Sequence, residues 1–100
     1  MYEKDIESFL TAQVKRLGGI CFKFTSPGCA GVPDRIVLLP GGLVCFLEIK
    51  RPKQKARPLQ EYWLKEIQKR GFLARSVSTR AEIIEVLNDL QTTQLPNSRD

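Results

Sequence analysis

An aspartate, a glutamate and a lysine flank two short apolar segments near the middle of the chain. Asp34 precedes the segment of residues 35–39, and Glu48 and Lys50 follow the segment of residues 43–47. Two carboxylates that converge could bind Mg²⁺, which prefers oxygen ligands, and a cation beside them can stabilise negative charge on a phosphate. Because the formal net charge is +5, the substrate that suits this chemistry is a phosphodiester.

Strand pairing would bring these groups together. A Pro-Gly-Gly sequence at residues 40–42 separates the two segments and predicts a hairpin. A three-residue loop sets Asp34 opposite Glu48, whereas a two-residue loop sets it opposite Ile49. Opposed residues have Cβ atoms roughly 4.5–5.5 Å apart, close enough for two carboxylates to share one ion. Alternate residues of a strand share a face, so Glu48 and Lys50 point the same way, and the Ile49 carbonyl is a candidate third ligand.

A plain salt bridge is the alternative explanation for these charges. Glu48 could pair with Lys50 or with Arg35 in solvent, and such exposed pairs contribute on the order of 0–1 kcal/mol. Two observations favour the metal site instead. The second segment is apolar on both faces, as in a buried strand, and the Pro-Asp pair at residues 33–34 lies at the matching register of the first segment.

Length and composition indicate one soluble globular domain. The 100 residues are 42% hydrophobic and 27% charged, which is ordinary for such a domain. No apolar run approaches the ~20 residues of a membrane span, and no signal-peptide pattern is present, so a cytoplasmic protein without a membrane partner is expected. The absence of histidine excludes His-dependent triads and His-ligated zinc. Cys21, Cys29 and Cys45 lack ligand spacing and are predicted to be free thiols.

A basic segment begins at the lysine. Five of the eight residues from 50 to 57 are Lys or Arg and none is acidic, and the prolines at 52 and 58 keep this segment out of a helix interior. An exposed loop that contacts phosphates is therefore predicted, and a solubilising loop without a specific role is the alternative. The predicted DNA-binding residues are Lys23, Arg35, Lys50, Arg51, Lys53, Lys55 and Arg57.

Hydrophobic periodicity predicts the elements that must position these residues. The predicted order is helix 3–17, strand 20–25, the two hairpin strands, a helix that begins near Pro58 and closes at Gly71, strand 72–77, and a last helix opened by a Thr79-x-x-Glu82 capping box. The apolar face of the second helix is predicted at Leu59, Trp63 and Ile67, with Tyr62 and Leu64 beside it. This is an α/β fold in which helices flank a mixed four-stranded sheet. A single domain is expected over residues 1–90, with a polar, frayed tail at 91–100.

Four sequence motifs together resemble a known family. They are Ser26-Pro27-Gly28, Gly31-Val32-Pro33-Asp34-Arg35, Phe46-Leu47-Glu48-Ile49-Lys50 and Pro58-Leu59-Gln60. In this order they resemble the VRR-NUC (virus-type replication-repair nuclease) family of the PD-(D/E)XK superfamily, in its stand-alone bacterial or phage form. The resemblance covers roughly residues 3–90 and implies a restriction-endonuclease-like core.

The resemblance also implies roles for individual residues. Asp34 and Glu48 match the carboxylates that bind the metal, Lys50 matches the motif lysine, and Gln60 matches the glutamine that opens the next helix and approaches the site. The family places a further glutamate on the first helix near the metal. Glu7 is the candidate for that position, and Glu3 is the alternative; either could instead be an ordinary solvated residue.

What the resemblance implies for function is cleavage of DNA with Mg²⁺ or Mn²⁺ and without an organic cofactor. The hypothesis is a structure-selective endonuclease, a four-way (Holliday) junction resolvase that acts as a homodimer in a bacterial or phage-infected cell, since two symmetric cuts suit a two-fold pair. The alternatives are a non-catalytic nucleic-acid-binding module and a flap- or duplex-specific nuclease of the same fold. Phe72 and the pair Tyr62-Trp63 are expected in the core rather than in a dimer interface.

Overall fold

The computed structural model describes residues 2–51, 54 and 57–92. Its elements are α1 (Tyr2–Arg16), β1 (Ile20–Lys23), β2 (Arg35–Leu39), β3 (Leu43–Ile49), α2 (Pro58–Lys69), β4 (Leu73–Val77) and α3 (Arg80–Thr92). This order confirms the predicted α/β class. In the described part of the chain, no helix combines the length and apolar composition that crossing a bilayer requires.

The four strands form one mixed sheet in the order β1-β2-β3-β4. Neighbours β1, β2 and β3 are antiparallel, whereas β3 and β4 are parallel. Leu39 pairs with Leu43, so the hairpin loop holds three residues, which is the first of the two predicted registers. Gly41 and Gly42 have φ values of 89° and 80°, a backbone conformation that glycine adopts without steric cost.

The two faces of the sheet are covered differently. Odd-numbered residues of β2 and β3 are buried, because side chains alternate along a strand and this face carries α1 and α3. The core there contains Ile6, Leu10, Val14, Val37, Leu39, Leu43, Cys45, Leu47, Ile49, Val77, Ile83, Val86, Leu87 and Leu90. On the even-numbered face, α2 packs against β4 at the edge of the sheet.

Local sequence determines how the chain enters and leaves the helices. A Cβ on Gly19 would lie 2.4 Å from the Leu38 carbonyl oxygen, so only glycine fits where the chain turns from α1 into β1. The predicted capping box of α3 is present. The Glu82 N–H donates to Thr79 Oγ1 at 3.1 Å, and the Thr79 N–H donates to Glu82 Oε1 at 3.2 Å.

Several boundaries and burial assignments differ from the sequence predictions. Strand β1 ends at Lys23, two residues early, and α3 continues through Thr92, so the predicted tail begins too soon; residues 93–100 lie outside the described residues. Phe72 and Tyr62 are 45% and 51% exposed, so the expectation that they belong to the core was wrong. For Tyr62 the reason is that α2 sits over one edge of the sheet and, of its own residues, buries only Leu64 fully.

The three cysteines are free thiols, as predicted. Cys45 is buried in the core, and its burial, with a smaller effect of neighbouring Cys21, raises the pKa of its thiol to about 12. A thiol that stays protonated at neutral pH is a poor nucleophile. Cys45 is therefore a small core residue.

Candidate active site

Three neighbouring strands bring polar side chains into one row on the even-numbered face of the sheet. Arg35 pairs with Leu47, so the next step of the same register sets Asp34 opposite Glu48. Glu48 in turn pairs with Ser76 on β4. The convergence of Asp34 and Glu48 that the hairpin predicts is therefore present, and β4 adds a serine to the row.

The Glu48 carboxylate lies in an environment that disfavours its charge. Burial is the largest cause that raises its pKa, and the negative charge of Asp34 raises it further. Lys50, a hydrogen bond from the Asp34 backbone and Arg35 lower the pKa of Glu48 by less. Two carboxylates thus face each other with incomplete compensation, which is the situation that a bound cation relieves.

Lys50 is held inside the site rather than in solvent. It is 4% exposed, and its backbone N–H donates to the Val77 carbonyl at 2.9 Å. Its Nζ donates a hydrogen bond to Gln60 Oε1, and Gln60 Nε2 donates to Glu48 Oε2 at 3.3 Å. Gln60 therefore connects the lysine to the carboxylate. The structure brings together Asp34, Glu48, Lys50 and Gln60, and the roles assigned to them stay predictions.

The start of α2 is fixed beside these residues by two local contacts. The Gln60 side chain also accepts a hydrogen bond from the Arg57 N–H at 3.0 Å, which satisfies a donor at the helix N-terminus. Pro58 occupies the first turn, a position that proline favours. The glycine-rich loop before β2 lies against this turn, since a Cβ on Gly31 would meet Leu59 Cγ at 2.8 Å.

On the odd-numbered face of the sheet, the buried Arg35 forms an ion pair with the partly exposed Glu7. Arg35 is 7% exposed, and its Nη2 lies 2.8 Å from Glu7 Oε2. Its Nη1 lies 3.4 Å from Asp34 Oδ2 and donates to the Asp34 carbonyl at 3.1 Å. A buried guanidinium needs a partner, and Glu7 on α1 supplies it.

In the structure the Glu7 carboxylate pairs with Arg35, and its role as a metal ligand stays a prediction. Within residues 2–51, 54 and 57–92, no three acidic or cysteine side chains form a cluster able to hold a metal. The side chain of the alternative, Glu3, lies outside the described residues. Sequence reasoning placed Glu7 on the right helix but could not show that Arg35 would be the residue it contacts.

The remaining pair still fits a divalent cation. Asp34 Oδ1 is buried and has no hydrogen-bond partner in the described part of the molecule, although buried polar atoms are nearly always paired. Mg²⁺ commonly uses one or two carboxylates and fills its shell with water and substrate phosphate. Asp34 and Glu48 match that donor set, and the Ile49 carbonyl at the end of β3 stays a predicted third ligand.

The predicted DNA-binding residues separate into three groups. Lys23, Arg51 and Arg57 are exposed and can reach a phosphate backbone. Lys50 and Arg35 are buried; a DNA contact for Arg35 stays a prediction that its burial and ion pairing argue against. The other two, Lys53 and Lys55, lie outside the described residues.

Ser76 is the polar residue of this row that sequence reasoning missed. Its Oγ is buried and without a hydrogen-bond partner among the described residues, and it neighbours Glu48 across the β3–β4 ladder. The missing information was the parallel pairing of β4 with β3, because pairing between strands separated by a helix is not encoded in local periodicity.

Fold and site together define a class of protein. It is a small α/β domain in which two carboxylates and a lysine converge at the ends of neighbouring strands of a mixed sheet, with a glutamine from the following helix beside them. This is the arrangement expected of PD-(D/E)XK proteins.

Comparison with known proteins gives the family. A family model described as "VRR-NUC domain" matches residues 7–81. A protein named "Putative nuclease p44", from Acyrthosiphon pisum secondary endosymbiont phage 1, is 50% identical over 58 residues, which are 58% of this chain and 62% of that protein. A solved structure titled "VRR_NUC domain" gives a TM-score of 0.81 at 26% identity and covers 88% of this chain and 96% of that chain.

A second solved structure, "VRR_NUC domain protein", gives a TM-score of 0.68 at 18% identity over 88% of this chain and 86% of that one, and so supports the fold. The chain belongs to the VRR-NUC domain family, since the family model matches well over half of its length. The region shared with the phage relative is about three fifths of that relative's length.

Proposed function

We propose that this protein is a divalent-metal-dependent nuclease that hydrolyses phosphodiester bonds in DNA. The observation that carries the proposal is the convergence of Asp34, Glu48 and Lys50, with a buried Asp34 oxygen that has no hydrogen-bond partner among the described residues. Membership of the VRR-NUC family and the nuclease name of the phage relative support the same chemistry.

The proposed mechanism assigns a separate task to each side chain. Asp34 and Glu48 would hold Mg²⁺ or Mn²⁺, which supplies Lewis-acid activation of the phosphodiester and of water when bound. Water attacks phosphorus and releases a proton to solvent, the bond to the leaving oxygen breaks and that oxygen takes up a proton from solvent. Negative charge grows on the non-bridging oxygens during this step. The Lys50 ammonium, already withdrawn from solvent, stabilises that charge, because such groups act more strongly in a site that excludes water.

Gln60 keeps the lysine in place for this step. Its amide oxygen accepts from Lys50, and its amide nitrogen donates to Glu48. This connection fixes the direction of a long, flexible side chain before substrate arrives. Such preorganisation is what makes an electrostatic contribution available in the transition state.

The test is cleavage of labelled DNA by the purified protein. Duplexes, flaps and four-way junctions are incubated with Mg²⁺ or Mn²⁺, and wild type is compared with Asp34→Asn, Lys50→Ala and the exposed control Lys65→Ala. We expect each site variant to lose at least about 100-fold in rate, as removal of one charge-stabilising donor does elsewhere, while the control retains activity. Absence of cleavage on every DNA, or full activity in both site variants, would refute the proposal.

We further propose a four-way junction as the preferred substrate and a homodimer as the acting form. Two symmetric cuts across a junction suit a two-fold pair of active sites. The even-numbered sheet face supports self-association, because Ile20 and Phe22 on β1 are 53% and 52% exposed. A panel that contains junctions and matched linear duplexes tests the preference, and equal rates on both would leave a nuclease without junction selectivity.

A non-catalytic nucleic-acid-binding module predicts a different result. It would bind DNA in a salt-dependent manner without needing metal and without needing Asp34. Calorimetric titration of the protein with Mn²⁺, in the presence and absence of uncleavable DNA, separates the two. Metal binding that Asp34→Asn abolishes supports the nuclease, and no metal binding under either condition supports the module.

A further inference from the structure

The outer surface of α1 carries a groove that the proposed chemistry does not use. Its volume is about 410 Å³, and it is lined by Lys4, Glu7, Ser8, Thr11, Ala12 and Lys15. Residues spaced by three or four positions share one face of a helix, so Lys4, Ser8, Thr11 and Lys15 form a polar stripe along it. Two lysines and two hydroxyl groups therefore line one shallow groove.

The two lysines of this groove are available to bind an anion. Lys4 and Lys15 are exposed, and neither takes part in a salt bridge among the residues that the structure describes. By contrast, Lys69, Arg70 and Arg80 each pair with a carboxylate. Glu7 is the single acid among the described residues that line the groove, and it is already bound to Arg35.

The groove adjoins the active site through one ion pair. Glu7 lines it and contacts Arg35 at 2.8 Å, and Arg35 in turn lies 3.4 Å from Asp34. Lys15 lies eleven positions after Lys4, so the stripe runs roughly 16 Å along the helix axis. That length matches about five nucleotides of one DNA strand at 3.4 Å each.

We infer that this face of α1 is a second DNA-contact surface, which holds the phosphate backbone of the DNA arm beyond the cleaved bond; the inference rests on the proposed function. Lysine ammonium groups and Ser or Thr hydroxyls are common donors to phosphate oxygens. Ala12 is the one apolar residue among those that line the groove, so a membrane surface, which requires an apolar face to insert, does not fit it.

Binding measurements on a charge-reversed pair test the inference. The variant Lys4→Glu/Lys15→Glu is compared with Lys65→Glu/Lys69→Glu, which makes the same charge change on α2 across the sheet. Affinity for a fluorescent duplex and for a four-way junction is measured without metal, over a range of salt concentrations. We expect the α1 variant to bind about tenfold more weakly, and its salt dependence to be shallower by about 2 in slope, one for each lost phosphate contact.

The outcomes separate this inference from the nuclease proposal. If wild type cleaves DNA but the two double variants bind alike, the inference is wrong and the nuclease stands. If the α1 variant alone loses affinity while wild type cleaves nothing, the contact surface stands and the nuclease is wrong. Circular dichroism checks that both double variants are folded. If the helix content of Lys4→Glu/Lys15→Glu falls, the milder variant Lys4→Ala/Lys15→Ala is measured in its place.

Discussion

At the scale of single residues, the surroundings of the Glu48 carboxylate disfavour its negative charge. Glu48 is half-buried beside Asp34, and burial first and the neighbouring carboxylate second raise its pKa. Lys50 and Gln60 offset part of this cost, but in the part of the chain that the structure describes one buried oxygen of Asp34 has no hydrogen-bond partner. This arrangement is therefore destabilising, and in the proposed nuclease a bound cation would relieve it.

Glu48→Gln should stabilise the metal-free protein at neutral pH. The pKa of Glu48 in the folded protein lies above its ordinary value of 4.5. The protonated carboxyl therefore contributes its full stabilisation below pH 4.5, and this contribution is lost as the pH rises through the folded-state pKa. The gain from the substitution is thus largest at neutral pH and disappears under acid conditions. Thermal denaturation in EDTA across this pH range measures it.

Glu66 provides the control of opposite sign. Hydrogen bonds from Arg70 and then Lys69 lower its pKa, so its stabilising effect is present above the ordinary value and lost as the pH falls. Glu66→Gln should slightly destabilise the protein at neutral pH.

Added Mg²⁺ should raise the Tm of wild type but not of Glu48→Gln, since a ligand stabilises only the state that binds it. If Glu48→Gln had a lower Tm than wild type at neutral pH without metal, the conclusion that the Glu48 charge is destabilising would be wrong.

Gln60→Ala should lower kcat while leaving KM and metal affinity close to wild type. Gln60 contacts Lys50 and Glu48 but is not a metal ligand in the proposed site, so its loss releases the lysine without removing a metal-binding carboxylate. We expect about a tenfold fall in kcat, less than for Lys50→Ala, because the ammonium is still present but less well oriented. Single-turnover cleavage and Mn²⁺ calorimetry measure the two effects, and a large loss of metal affinity would contradict a positioning role.

At the scale of elements, the hairpin was the predictable part of the site. Strand alternation and the Pro-Gly-Gly loop allow two registers, and the observed one, with three loop residues, sets Asp34 opposite Glu48. Ser76 and the Arg35–Glu7 pair were not predictable in the same way. Both depend on contacts between elements far apart in the chain, where local periodicity carries no information about which side chains meet.

The contact between the glycine-rich loop and α2 gives a prediction at this scale. Gly31 and Gly28 both have positive φ, 90° and 80°, so alanine at either position meets a similar backbone penalty of about 1–2 kcal/mol. A Cβ on Gly31 would also meet Leu59 at 2.8 Å, whereas none of the described residues lies within 4 Å of one on Gly28. Gly31→Ala should therefore displace the start of α2, and with it Gln60.

Comparison of the two alanine variants isolates that displacement. Gly28→Ala should lower the Tm with little change in kcat at a temperature where it is folded. Gly31→Ala should lower the Tm further and reduce kcat as Gln60→Ala does. Melting curves and initial rates on one DNA substrate measure both effects, and equal kcat values in the two variants would show that the loop does not position α2.

At the scale of the whole molecule, the sheet is unevenly covered. The face with α1 and α3 carries the core, whereas the opposite face has α2 at the β4 edge and exposes Ile20 and Phe22 at the β1 edge. Burial of apolar surface is the main favourable term in protein association. The same face carries Asp34 and Glu48, so a partner bound there would lie near the active site.

Phe22→Asp should dissociate the proposed homodimer, because a charge placed at the centre of an apolar contact must be desolvated on association. Ile84→Asp is the matched control, since Ile84 is 46% exposed on α3, across the sheet. Sedimentation with and without a four-way junction measures the state of each protein. We expect wild type and Ile84→Asp to sediment as dimers and Phe22→Asp as a monomer that still nicks DNA but no longer makes paired cuts. A monomeric wild type under both conditions, or a dimeric Phe22→Asp, would show that this face does not form the dimer.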